Sequence, residues 1–372
     1  MCIMASCLSL SSNVFNFFVP DNDLAAKLSG VIQQANQSGE ALRIVGGNTK
    51  AFYGRRCQGQ ALSTTEHSGV INYDPTELVI TARSGTRLTE LENVLAEQNQ
   101  KLPFEPPHFG EAATLGGTIA CGLSGPRRPY TGSARDLVLG IRCITGRGEH
   151  LQFGGQVIKN VAGYDVSRLM TGALGTLGLI TEVSLKVLPK PETEITLQFA
   201  MEQQPAIDRM NELAGQPVPL SAACWYDGVM RLRLSGTEQG VRAAQQKVGG
   251  ELNDEGDKFW MQLREQTLPF FENDAPLWRL SVPPATKVQE LDENVLHDWG
   301  GAQRWLFSSE DPSKIRETVT QNDGHATCFR NHGDIDDVFH PIPEAIMQLH
   351  RNLKQSFDPK GILNPGRMYG DL

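Results

Sequence analysis

Two glycine-bearing segments carry the most legible chemistry of this chain. The apolar run Leu42 to Val45 leads directly into Gly46-Gly47-Asn48-Thr49-Lys50. A strand ending in such a turn gathers several backbone N–H groups into one small concavity, which is how proteins hold phosphate oxygens, and a side chain in place of glycine would block the approach. A lone Gly-Gly is an ordinary turn. Here a second segment of the same kind, Ala113-Thr114-Leu115-Gly116-Gly117, lies further along the same half. Two anion-holding loops suit a pyrophosphate clamped between two subdomains, with a helix N-terminus helping at one of them. The expected chemistry is cofactor binding.

The common nucleotide fingerprints are missing. Gly172, Gly175 and Gly178 are spaced GxxGxxG rather than GxGxxG, and no GxxxxGK[ST] occurs, which disfavours Rossmann enzymes and P-loop NTPases. Of the 37 glycines, 21 fall between Gly46 and Gly178, so the first half is where permissive backbone is needed. With 43 acidic and 34 basic residues the net charge is -9, which argues against binding the phosphate backbone of nucleic acid. The seven cysteines form no CxxC pair, so neither a zinc ribbon nor a ferredoxin-type iron–sulfur cluster has a ligand set, and a reduced, cytoplasmic chain is expected. No run of 18 to 20 apolar residues predicts a membrane span. Residues 1–20 are apolar but carry no Lys or Arg, unlike a secretory signal, and read as a flexible extension or an early start codon.

The elements that must position these loops follow from periodicity. Strands are predicted at Leu42 to Val45 and Leu78 to Ala82, then a helix over Thr86 to Gln98, where Leu88, Leu91, Val94 and Leu95 recur at helical spacing. Strands over Asp136 to Thr145 and His150 to Phe153 flank the turn Gly146-Arg147-Gly148. Asp165 to Met170 reads as a short helix and Leu179 to Leu188 as a half-buried strand. Pro189-Lys190-Pro191 is the best boundary. Beyond it come strands around Met230 to Leu234, Leu277 to Val282, Arg304 to Phe307 and His325 to Arg330, with helices between them and a final helix over Pro343 to Phe357. The class is α+β: a two-subdomain cofactor module over 21–188, an α+β, ferredoxin-like cap and interface domain over 192–340, and a C-terminal helix and tail over 341–372 that returns to the first domain.

Together Arg43 to Lys50, Ala113 to Gly122, Gly132-Ser-Ala-Arg-Asp136 and Leu174 to Thr181 resemble the vanillyl-alcohol oxidase / p-cresol methylhydroxylase (PCMH) type of FAD-binding domain. Within that superfamily, Glu105-Pro-Pro-His108, Gly125-Pro-Arg-Arg-Pro129, Lys159 to Met170, Trp299-Gly-Gly301 and Asn364-Pro-Gly-Arg-Met-Tyr369 resemble the FAD-binding subunits of bacterial glycolate oxidase (glycolate dehydrogenase). The resemblance implies that Gly46, Gly47, Asn48, Thr49 and Lys50 hold the FAD pyrophosphate and that Ala113, Thr114, Gly116 and Gly117 close on it. It places Cys121, Gly122 and Gly125 along the ribityl chain and flavin ring, Ser133 nearby, and the backbone of Ile180 at the adenine end. Because the first loop reads Gly-Gly-Asn with no histidine, non-covalent FAD is expected.

The resemblance also implies a complex with a homologous catalytic flavin subunit and an iron–sulfur subunit, oxidising glycolate and passing electrons toward the respiratory chain. Such a chain would be cytoplasmic or, through the complex, peripheral to the inner membrane. The missing cysteine pairs then have an explanation, since electrons leaving this flavin would need clusters carried elsewhere. Catalytic residues are not assigned. Oxidation of a 2-hydroxy acid needs a base on the hydroxyl and a cation on the carboxylate, for which Arg279 and His108 are weak candidates and Arg304 a third. Arg279 and Arg304 could equally stack on Trp278 and Trp305. The metal and base cluster of related catalytic subunits is degenerate over His325 to His340, and His325, His332 and His340 read as packed or solvated histidines, with no metal expected. The alternatives are an autonomous FAD-dependent 2-hydroxy-acid dehydrogenase and a structural subunit holding FAD weakly or not at all.

Overall fold

The structure is a computed structural model, and it describes residues 22–155, 165–288, 291, 294–331, 333 and 335–372. The expected N-terminal extension over 1–20, the Lys159 to Tyr164 part of the Lys159 to Met170 motif, and His332 and Asp334 lie outside the described residues.

Two antiparallel sheets organise the chain. The first has five strands in the order Val70–Asp74, Val79–Arg83, Leu179–Lys186, Val138–Ile144, His150–Gly154. Val79–Arg83 is buried along its whole length because it lies between two neighbours. Against this sheet packs the helix Leu88–Glu97, whose Leu88, Leu91, Val94 and Leu95 all face the core. Burying each of those side chains contributes roughly 1.5–3 kcal/mol. The helix stops at Gln98, where Asn99 turns left-handed at φ 52°. A separate parallel pair, Leu42–Val45 with Gln60–Ser63, forms the second subdomain with the helix Ala25–Ser38.

One expected strand starts later than its sequence suggests. Residues 134–137 form a helical turn before the strand Val138–Ile144. The cause is local: Asp136 Oδ2 accepts hydrogen bonds from the Ser133 amide and hydroxyl, a reciprocal cap that wins over extension.

Across Pro189 to Pro191 the chain passes into an eight-stranded sheet, in the order Glu251–Leu252, Thr193–Ala200, Val229–Gly236, Leu220–Tyr226, Val295–Asp298, Gln303–Phe307, Leu277–Ser281, His325–Arg330. It consists of two ferredoxin-like units edge to edge. In each unit the fourth strand borders the first, the first borders the third, and the third borders the second. The first unit carries its two helices, Gln203–Ala214 and Glu238–Val248, and the second carries Pro312–Thr320 before its last strand. Thr237 caps one of these helices, its hydroxyl accepting from the Gly240 amide.

Cofactor module and cap are joined by a buried ion cluster. Glu105 accepts from Arg127 Nε at 2.9 Å and from Arg233 Nη2 at 2.8 Å, while Glu194 pairs with Arg127 as well. Burial alone would raise the Glu105 pKa, but Arg233 and then Arg127 hold it at about 2. The last helix, Glu344–Phe357, leads the chain back to the first module, where buried Lys354 donates to the Thr176 and Leu363 carbonyls at 2.8 Å each.

Candidate cofactor site and substrate pocket

The first glycine loop and the segment around Gly116 meet. Gly116 lies so close to the turn after Val79–Arg83 that a Cβ would sit 2.5 Å from the Ser84 Cβ, and its amide donates to the Ser84 carbonyl at 2.7 Å. Thr114 caps the short helix Leu115–Cys121, its hydroxyl accepting from the Gly117 amide. Opposite, Gly47 approaches Ala112 so closely that a Cβ would overlap the Ala112 carbonyl oxygen at 1.5 Å. Asn48 stands between them at φ 59°, a left-handed conformation that asparagine tolerates better than most residues.

Between these loops lies a cavity with about 890 Å³ of empty space. Among the described residues its walls hold three cations, Arg43, Lys50 and Arg367, and no carboxylate. In a chain of net charge -9, three cations with no carboxylate beside them among the described lining residues make this cavity suited to an anion. Lys50 Nζ donates to the His108 carbonyl at 3.2 Å and lies 5.8 Å from the Phe109 ring centre. Burial pulls its pKa down, opposed by Cys121 and Glu265. Burial likewise raises the Cys121 thiol and lowers Arg367, whose guanidinium donates to the Ala51 and Tyr53 carbonyls. Among the described residues the amides of Gly46 through Lys50 have no hydrogen-bond partner, and neither does the buried Ser84 hydroxyl.

These features fit FAD. Free amides and three cations suit its diphosphate, and the orphaned Ser84 hydroxyl awaits a polar group of the ligand. Of the residues expected at the cofactor, Gly46, Gly47, Asn48, Thr49, Lys50, Thr114, Gly116, Gly117, Cys121 and Ile180 line the cavity. Ala113, Gly122, Gly125 and Ser133 do not. Gly122 ends the helix at φ 64°, where a Cβ would crowd Gly172; Ser133 caps its own turn; and Ala113 is buried in the core beneath the loop. Gly125 lies at a second cavity.

That second cavity opens between the module and the cap, and Arg279 lines it. The Arg279 guanidinium stacks on Tyr53 and Phe329 rather than on a tryptophan. The reason is strand geometry: neighbouring residues point to opposite faces, so Arg279 and Trp278 cannot meet. Arg304 is not a free cation either, since it is 1% exposed and donates to the carbonyls of Gly301, Thr286 and Lys287. His108 reaches neither cavity; its Nε2 lies 3.2 Å from Glu92, which leaves it outside the reacting space. The His325 and His340 rings are 6.4 Å apart, and no cluster of three metal-ligating side chains occurs among the described residues.

Sequence reasoning gave no site role to several lining residues, Asn364, Arg367 and Ser84 among them. Asn364 and Arg367 belong to a motif that signalled resemblance without suggesting a place, and Ser84 follows a strand directly before a glycine, the same signal that marked Gly46. Among the described residues no helix is long and apolar enough to cross a membrane.

A family model described as an FAD binding domain matches residues 23–154, and one described as the C-terminal domain of FAD linked oxidases matches residues 341–368. Fold, cavity and these matches define an FAD-linked oxidoreductase with a PCMH-type α+β architecture. Over 350 residues the chain is 48% identical to the glycolate oxidase subunit GlcE of Escherichia coli (strain K12), covering 94% of this chain and 99% of that one. The chain belongs to the GlcE family of glycolate oxidase subunits. It is also 36% identical over 129 residues to the glycolate oxidase subunit GlcD of Bacillus subtilis (strain 168), which spans 34% of this chain and 27% of that one. A solved structure of alkyldihydroxyacetonephosphate synthase shares the fold, with a TM-score of 0.65 at 16% identity over 92% of this chain and 74% of that one.

Proposed function

We propose that this chain is the FAD-holding subunit of a multi-subunit glycolate oxidase that converts glycolate to glyoxylate and passes the electrons toward the respiratory chain. The observation that carries this reading is the near full-length 48% identity to a glycolate oxidase subunit in a chain whose cavity is cationic and lined by amide-bearing glycine loops. When bound, FAD supplies a flavin ring that accepts a hydride from the carbon bearing a hydroxyl.

The protein's own residues bind and orient. The Gly46 to Lys50 amides and the Lys50 and Arg367 cations hold the diphosphate, and the Thr114 to Gly117 loop closes on it from the five-stranded side. Thr114 and the glycines at 46, 47, 116 and 117 set the distance between the two loops, while Cys121 and Ile180 border the rest of the cavity. FAD is held without a covalent bond. The partners are a homologous catalytic flavin subunit and an iron–sulfur subunit, which supplies the clusters for which this chain has no CxxC ligand set.

The test uses the isolated full chain reconstituted with FAD. A flavin absorbance spectrum that stays with the protein is expected, and a colourless protein would sink the reading. Acid precipitation should release the flavin into the supernatant; a yellow pellet would contradict non-covalent binding. Anaerobic glycolate should bleach the flavin only when the partner subunits are added. Bleaching by the isolated chain would favour an autonomous dehydrogenase, a reading for which Arg279 at the second cavity is the specific observation.

A further inference from the structure

A third cavity, with about 620 Å³ of empty space, opens beside the last helix, Glu344–Phe357. That is the size of a small-molecule site. Leu169, Ala173, Leu177, Leu353 and Met368 give it apolar walls. Its polar residues are mostly committed elsewhere. Lys354 is buried and donates to the Thr176 and Leu363 carbonyls at 2.8 Å each and to Asp358 at 2.9 Å, which engages all three of its protons. The hydroxyls of Thr171 and Thr176 donate to the Ser167 and Ala173 carbonyls. His350 is different. It meets the Tyr369 ring edge to face, and its ring nitrogens have no hydrogen-bond partner among the described residues.

Two relationships say what kind of molecule belongs there. The turn between the helix Val166–Met170 and the strand Leu179–Lys186 is a wall shared with the cofactor cavity: Gly172, Thr176 and Leu177 border the third cavity, while Leu174, Gly175 and Gly178 border the first. That wall is pinned, since the Gly172 and Leu174 amides donate to the Ile119 and Ala120 carbonyls while Lys354 and Asn364 hold the Thr176 and Leu174 carbonyls. The second relationship lies outside. Leu349 and Ile346 stand four and seven positions before Leu353, on the same face of the helix, and are 56% and 44% exposed. An apolar track therefore leads along the surface to the cavity.

We propose that the third cavity binds an isoprenoid quinone, its ring against Leu177 and Leu353, one carbonyl accepting from His350, and its tail along Leu349 and Ile346. The choice of a redox-active ring rests on the function proposed above; the cavity, the open histidine and the track rest on geometry alone. A quinone suits this wall because its ring and tail are apolar and its carbonyls only accept, so one neutral donor satisfies it where a charge would be left unpaired. As an acceptor it takes two electrons and two protons from the reduced cofactor across the shared wall. Both carbonyls become hydroxyls, the quinol leaves, and the flavin is oxidised again. This gives electrons a way out of the chain alongside the iron–sulfur subunit.

The test is a calorimetric titration of the full chain, FAD-loaded and FAD-free in parallel, with menadione, with methylnaphthalene, which has the same rings without carbonyls, and with a decyl-tailed benzoquinone against its tailless counterpart. Saturable binding of menadione to both forms is expected, with methylnaphthalene weaker. His350→Phe should weaken menadione by about three- to tenfold, and His350→Gln, which keeps a donor, should recover part. The surface pair Ile346→Ser with Leu349→Ser should leave menadione unchanged and erase the advantage of the decyl tail. No saturable binding, equal affinity for menadione and methylnaphthalene, equal menadione affinity in wild type and His350→Phe, or a tail advantage that survives the surface pair would each overturn the proposal. Should His350→Phe fail to fold, the exposed pair decides the question. Photoreduced, FAD-loaded chain should regain its oxidised spectrum when menadione is added without oxygen, and more slowly in His350→Phe; equal rates would refute the acceptor role. A chain that binds quinone but never retains FAD would refute the function proposed above while leaving this site standing, and one that retains FAD but binds no quinone would refute the site alone.

Discussion

Asn364 and Ile44 are 320 positions apart in the chain, yet the Asn364 side-chain oxygen accepts the Ile44 amide at 2.7 Å. Its amide nitrogen donates to the Leu174 carbonyl at 2.6 Å, and its own backbone N–H donates to Leu42. One side chain near the C-terminus therefore holds the strand that delivers Gly46 and Gly47 and the turn that ends at Gly175. Asn364→Ala should leave two buried backbone groups unpaired and cost about 2–4 kcal/mol. Thermal denaturation measures the cost, and a weaker hold on FAD should accompany it; unchanged stability would show that the tail is not a brace.

Gly47→Val should abolish FAD retention. The atom that forbids the side chain is the Ala112 carbonyl, so the damage comes from prising the two loops apart as well as from blocking phosphate. Gly117→Ala is the control: its Cβ meets only the Thr114 hydroxyl at 3.2 Å, so it should keep a measurable FAD stoichiometry. The flavin-to-protein absorbance ratio distinguishes the two.

On the proposed reading Lys50→Met should weaken FAD binding by about tenfold or more, since one of the three cations lining the cavity is lost. Lys50→Arg should recover part of it. Flavin fluorescence during reconstitution gives the dissociation constants, and equal values for wild type and Lys50→Met would show that the cavity's positive charge comes from Arg43 and Arg367 alone.

Acid should loosen the joint between module and cap through Glu105. Its folded pKa of about 2 lies below its ordinary value of 4.5, so its contribution is fully present above about pH 4.5 and is lost as pH falls toward 2. The loss is on the order of 3 kcal/mol. In Glu105→Gln, which leaves Arg127 and Arg233 sharing Glu194 alone, stability should fall by about 3 kcal/mol at neutral pH and its acid dependence should flatten. Denaturation midpoints from pH 2 to 7 test both claims, and parallel profiles for the two proteins would refute them.

Asp298 should act in the opposite direction. With a folded pKa of about 7 against 3.8 when exposed, the folded state binds a proton that the unfolded state has already released. Stability should therefore fall as pH rises from about 4 to 7 and level off above. Asp298→Asn should remove that slope; a slope that persists in the variant would assign it to another group.

What the sequence made legible was local. Glycines at 46, 47 and 116 announce themselves because close backbone approach demands them, and the helix carrying Leu88, Leu91 and Leu95 follows from spacing alone. Strands could be found one at a time by alternation, as for Met230, Leu232 and Leu234. Their arrangement into two four-stranded units depends on pairings such as Thr193 with Gly236, which local patterns do not encode. The same holds for the ion cluster, since Glu105, Arg127, Glu194 and Arg233 come from four separate segments. Arg279 was recognisable as a cation near aromatics, but its stacking on Tyr53 and Phe329 follows only once the neighbouring strands are in place.

The eight-stranded sheet has a seam. Its two units meet at their second strands, and the only register pair across that line is Trp225 with His297 among the described residues. Inside each unit the ladders are longer, running to eight partners between Thr193–Ala200 and Val229–Gly236. Across that line the backbone ladder is short and the link is carried by side chains instead: Gln203 pairs with the His297 ring at 2.8 Å, and Asn211 donates to the Pro284 and Gly300 carbonyls. Backbone amides within either unit, held by long ladders, should therefore exchange with solvent more slowly than those along the seam, where side chains rather than backbone pairs make the join.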